Sequence, residues 1–142
     1  MIPRLSQGLA DLAAKLARDI APEAGSRYAM ANTGMVSMLL GALALDAERA
    51  VDARMTDIDE IKSLLRSAPA DAEPARQPAA AAFLDRTPRS LRLTDVDAVH
   101  AEGMNLLIAL HDWAEHHDAD LDSRIWDFLV RHSERHRLDP GD

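Results

Sequence analysis

Residues 28–45 read YAMANTGMVSMLLGALAL, and no charge interrupts the run. Laid on a helix, Tyr28, Asn32, Met35, Leu39 and Leu43 share a bulky face, while Gly34, Ser37, Gly41 and Ala44 recur on the opposite side. A helix that is apolar or small all round belongs inside something. The pattern therefore predicts a central helix that packs bulky side chains one way and admits another helix closely along its small face. In that position Asn32 is a buried amide in need of partners: Tyr28, a neighbouring helix carbonyl or a ligand.

The preceding segment is the cleanest amphipathic helix of the chain. Leu5, Leu9, Leu12, Leu16 and Ile20 form its stripe, with Arg4, Asp11, Lys15, Arg18 and Asp19 opposite. Pro22 and Gly25 end it, and Ser26 offers a cap to the central helix. After Leu45 charges return and the stripe changes phase to Val51, Met55, Ile58, Ile61 and Leu65. Thr56 with Asp59 resembles a capping pair, so a break or kink is expected between Arg54 and Asp57, with a third helix to about Arg66. One long bent helix is the alternative.

Residues 67–93 hold Pro69, Pro74, Pro78 and Pro88 with no sustained period. They predict a crossover linker, with residues 67–80 as the most mobile internal segment. Within it, Pro78 opens a short helix to Asp85 anchored by Phe83 and Leu84. Residues 94–117 predict a long helix, capped by Thr94 with Asp97 and burying Val96, Val99, Gly103, Leu106, Leu107, Leu110, Trp113 and Ala114. A tight connection over residues 118–122 leads to a last helix with Leu121, Ile125, Phe128, Leu129 and His132 on one side. The expected fold is all-α: one domain over residues 1–142, a four- to five-helix bundle ending in an antiparallel helical hairpin.

Composition agrees and removes several function classes. The 142 residues are 47% hydrophobic but only 4% aromatic, which favours helices over sheets. A net charge of -8, with basic residues scattered singly among acids, argues against nucleic acid and against an anionic membrane surface. The absence of cysteine excludes disulfides, thiolate zinc sites and cysteine nucleophiles. A cytoplasmic location is expected, because the amino-terminal stretch is charged throughout. Residues 28–45 nearly reach bilayer length, but Asn32, Thr33, Ser37 and two glycines dilute them, so no membrane span is expected.

Histidine is the enriched chemical type. All six lie in the last third: His100, His111, His116, His117, His132 and His136. His111 with Glu115, and His132 with His136, are spaced four apart, which sets each pair on one helix face. Two facing helices can then offer nitrogen and oxygen ligands to one metal. This resembles part of the hemerythrin pattern, in which His-x-x-x-Glu and His-x-x-x-His face a di-iron centre. The resemblance covers the last two helices only. No histidine occurs in the first two long helices, and nothing after His136 supplies the closing His and Asp. In a hairpin turning near Asp120, His132 and His136 face the level of residues 100–107, so the better cluster is His100, His132 and His136. The competing reading makes His132 a core histidine with one partner, Asn105. Asp118, Asp120 and Asp122 begin like a calcium loop but lack its glycine and closing Glu, and read as helix caps.

No phosphate loop or nucleophile elbow occurs in the sequence. The leading expectation is a non-enzymatic interaction or accessory protein without a cofactor, working through helix faces as a homodimer or with a helical partner. The alternative is a metal-binding or hydrolytic bundle that holds a divalent transition metal through the carboxy-terminal histidines.

Overall fold

The apolar periods translate into six α-helices in a computed structural model that describes residues 4–137. They are α1 (Leu5–Lys15), α2 (Arg27–Arg66), α3 (Glu73–Arg76), α4 (Pro78–Asp85), α5 (Leu93–His117) and α6 (Ala119–Arg135). A π turn over Leu16–Ile20 and a 3-10 turn over Ala21–Glu23 extend α1 to the loop before α2. No strand occurs among the described residues, so the protein is all-α. The chain divides into two units, Met1–Ala50 with Arg137–Asp142 and Val51–His136.

In the first unit α1 lies beside the start of α2. Ser26 Oγ accepts from Ala29 N at 3.1 Å and caps α2. Ser37 Oγ donates to Ala13 O at 2.8 Å, so the small face of α2 does meet α1. The glycines of that face are not why. A Cβ added to Gly34 or Gly41 meets nothing within 4 Å. The bulky face departs further from expectation: Tyr28, Asn32, Met35, Leu39 and Leu43 are all exposed. Asn32 is therefore not a buried amide. What this unit does bury is mostly alanine: Ala13, Ala42, Ala44 and Ala50. An 18-residue window of α2 is long and apolar enough to cross a membrane, and little of it is buried.

The break expected between Arg54 and Asp57 does not occur; α2 runs unbroken for 40 residues. With neither Gly nor Pro there, nothing interrupts the backbone ladder. The phase change of the stripe reflects a change of neighbours.

The second unit holds the large apolar core. Ile58, Ile61, Leu64 and Leu65 of α2 pack with Val96, Val99, Leu107 and Leu110 of α5 and with Leu121, Ile125 and Phe128 of α6. The proline-rich segment contributes to that core: Ala72, Ala80 and Phe83 are fully buried, and α4 starts at Pro78 as its helix signal implies. Phe83 fits because α5 has Gly103 beneath the ring. Lys62 Nζ donates to Arg86 O at 2.6 Å and lies 5.6 Å from the centre of the Phe83 ring, tying down the exit of α4. At α5 the cap differs from the Thr94–Asp97 pair: no side chain caps the helix, and Asp97 pairs with Arg54. Asp118 caps α6, accepting from Asp120 N and Leu121 N at 3.1 and 3.0 Å.

Candidate metal centre

Asp57 stands where an apolar side chain belongs. On α2 it falls four residues after Ala53 and four before Ile61, both buried. Its carboxylate is fully buried, an arrangement that demands compensation. The compensation comes from α5 and α6. His100 follows buried Val99 on α5, and His132 continues the Leu121, Ile125, Phe128 stripe of α6 with His136 one turn later. Their ring nitrogens meet one oxygen: His100 Nε2, His132 Nδ1 and His136 Nε2 lie 3.0, 2.8 and 2.6 Å from Asp57 Oδ2. Thus the structure brings His100, His132 and His136 together, as the helix register predicts, around an acid that register alone did not single out.

The other carboxylate oxygen belongs to arginine. Arg135 Nε and Nη2 donate to Asp57 Oδ1 at 2.9 and 2.6 Å, and its Nη1 donates to Glu60 Oε1 at 2.8 Å. Glu60 Oε2 accepts from Arg131 Nε and Nη2 at 3.1 and 2.9 Å. Burial by itself would raise the Asp57 carboxyl, but hydrogen bonds from His100, His136, Arg135 and His132 outweigh it and hold the group well below the usual carboxylate range. Burial pulls Arg135 down, and its bonds to Asp57 and Glu60 reverse that and raise it.

An ionised carboxylate only accepts, so in a purely hydrogen-bonded arrangement each of the three facing ring nitrogens carries a hydrogen. Two arginine N–H groups and three imidazole N–H groups then address one carboxylate. That is five donors for about four lone-pair sites, with three crowded on one oxygen. Read instead as lone-pair donors, the same nitrogens and Oδ2 form a four-ligand set whose atoms all lie within 4.8 Å of one another. A tetrahedral zinc-like ion with bonds of about 2.0–2.1 Å separates its ligands by about 3.3 Å, which lies inside the 4.8 Å span of this set. Arg135 on Oδ1 would then leave Asp57 monodentate and oriented. The rings are half-buried, and His132 stacks on Phe128 with centroids 5.7 Å apart.

His111 and Glu115 lie in a different cluster. His111 Nε2 is 3.0 Å from Asp122 Oδ1 but 3.7 Å from Glu115 Oε1, and Trp126 meets its ring edge-on at 5.4 Å. These three residues also bring their ligand atoms within 4.8 Å. The hemerythrin-like combination of both pairs on one centre is therefore not formed. Asn105 is exposed, and His132 takes Asp57 rather than Asn105 as its partner. Asp57, Glu60 and Arg135 escaped the sequence reading. The available signal was a charged residue in the Ala50, Ala53, Ile61, Leu64 stripe of α2.

No family model matches the chain, and neither a curated protein nor a solved structure matches it.

Proposed function

We propose that the protein is a divalent transition-metal-binding helical protein, with Asp57, His100, His132 and His136 as its ligands. The observation that carries the reading is the convergence of three imidazole nitrogens on one oxygen of a fully buried carboxylate. Imidazole with a single carboxylate suits zinc and its neighbours better than magnesium or calcium, which prefer all-oxygen shells. Four protein donors fill a tetrahedral shell, which is the arrangement of a binding or structural site; a hydrolytic site keeps a position open for water. The ion would tie α2, α5 and α6 together and so join metal binding to the stability of this unit. His111, Glu115 and Asp122 offer a weaker set, because Glu115 is exposed and Asp122 sits in the first turn of α6.

The test is elemental analysis of the purified full chain, followed by zinc titration of metal-stripped protein. One equivalent per chain is expected, with a rise in melting temperature at saturating zinc. His132→Ala and Asp57→Ala should abolish that rise, and His111→Ala should leave it intact. Stripped wild type with an unchanged melting temperature in zinc, cobalt and nickel would refute the reading and leave a buried hydrogen-bonded network.

A second reading, an accessory protein acting through helix faces, is favoured by the exposed bulky face of residues 28–43.

A further inference from the structure

We infer that the first unit pairs with a second copy of this chain, through a seam on α2 built from Tyr28, Asn32, Met35 and Leu39. These residues follow one another at steps of four, three and four, so residues 28 and 35, and 32 and 39, are each a heptad apart. Their side chains lie in water in the single chain: Tyr28 is 77% exposed, Met35 58% and Leu39 52%. Leu43 continues the exposed face at 51%. Between residues 28 and 39 the seam has the apolar spacing of a two-stranded coiled coil with one polar position, Asn32; the next two positions of the heptad are Ala42 and Asp46. A lone asparagine at such a position sets register and oligomer number by pairing with its own copy. A parallel two-fold pairing of α2 places Asn32 against Asn32 and gives the exposed amide its partner.

Tyr28, Met35, Leu39 and Leu43 are the large exposed apolar side chains of the seam, and Val36 and Met38 flank it. Within the chain, this unit buries mostly alanine, so its two helices gain little from each other. The small face of α2 already meets α1 at Ser37, leaving the seam as the free side.

The same apolar run also has the length of a bilayer span, and α1 decides between the two occupants. Ser37 of α2 is bonded to Ala13 of α1. Asp11 and Lys15 of α1 therefore lie level with the middle of the uncharged run. Both are exposed, as are Arg18 and Asp19 further along. A bilayer would have to take in those charges beside the span, at a cost of several kcal/mol. A second copy leaves them in water.

The experiment is light scattering after size-exclusion of the full chain over a thousandfold concentration range, with chelator present so that metal plays no part. Wild type is expected at twice the chain mass. Met35→Glu with Leu39→Glu should give the single-chain mass, raising Kd by roughly 100-fold or more, while far-UV circular dichroism retains its helical signal. Asn32→Leu serves as the second variant if the first fails to fold: it should strengthen association and admit higher oligomers. A wild type that stays at single-chain mass throughout overturns the proposal. So does an unchanged mass in the folded double variant, or an Asn32→Leu protein indistinguishable in mass and Kd from wild type. Flotation of the wild type with phosphatidylcholine–phosphatidylglycerol vesicles would assign the face to lipid and overturn it as well.

Discussion

Gly103→Ala should destabilise the protein although alanine is the better helix former. A Cβ at this position would lie 2.6 Å from Phe83 Cζ, 3.1 Å from Phe83 Cε2 and 3.3 Å from Ile61 Cδ1. Carbon atoms settle at about 3.5–4.0 Å, so the ring must retreat by about 1 Å. It has nowhere easy to go, because Phe83 and Ile61 are both fully buried. Forcing one methyl into a packed core costs about 1–3 kcal/mol. Replacing Gly by Ala inside a helix returns roughly 0.5–1 kcal/mol. The net loss should be about 0.5–2 kcal/mol. The mechanism is isolated by a second substitution. Phe83→Ala alone should cost about 3–5 kcal/mol, and in its background Gly103→Ala should become stabilising because the ring is gone. A urea-unfolding double-mutant cycle, followed by circular dichroism, should therefore give a coupling of about 1–3 kcal/mol. Additive substitutions, or Gly103→Ala stabilising on its own, would show that the ring does not press on α5.

Three further outcomes follow from named contacts. The depressed Asp57 carboxyl means that the unfolded chain binds its proton first; its stabilisation is present above about pH 4 and is lost as the pH falls toward the folded value. Asp57→Asn, measured with chelator, should flatten the fall in stability below about pH 4, and an identical acid slope would place the acid transition elsewhere. Asp118→Ala removes the acceptor for two amides at the start of α6 and should cost about 1 kcal/mol in urea unfolding; an unchanged midpoint would show that water serves those amides as well. Gly41→Ala should stabilise by about 0.5–1 kcal/mol, because a Cβ there meets open space inside a helix; a loss would reveal a close neighbour on the small face.

The histidine half of the candidate site could be read from spacing, and the acid half could not. His132 and His136 share a face because four residues make about one helical turn. His100 joins them because two helices connected at Asp118 bring residues at similar distances from the turn together. Asp57 lies 43 residues before His100 and 75 before His132, on a helix whose facing direction the local pattern left open. The presumed break at residues 54–57 hid it further, since it put Asp57 at a helix boundary when its partners lie on two other helices. The proline-rich segment shows the reverse balance. Its prolines do punctuate the backbone, and α4 begins at Pro78. Yet Ala72, Ala80 and Phe83 each bury completely without any period longer than one short helix. Burial by isolated residues leaves no periodic trace for a sequence to display.

Helical periodicity says that a face is covered, but not which chain covers it. Residues 28–45 have the pattern of a central helix, yet Tyr28, Met35 and Leu39 point to water in the single chain. The two facts agree once the covering element is another copy of α2. Asn32 then changes meaning. As a buried amide inside one chain it needs a partner that the fold does not supply, since the residue is exposed. On a two-fold seam its partner is the same residue, and the amide pairing penalises every register but one. The thin alanine packing between α1 and α2 belongs to the same arrangement. α1 meets α2 on the Ser37 side, away from the large side chains of the seam. On the pairing proposed above, a helix pair that buries its small residues internally and presents its large ones outward would gain its stability from association.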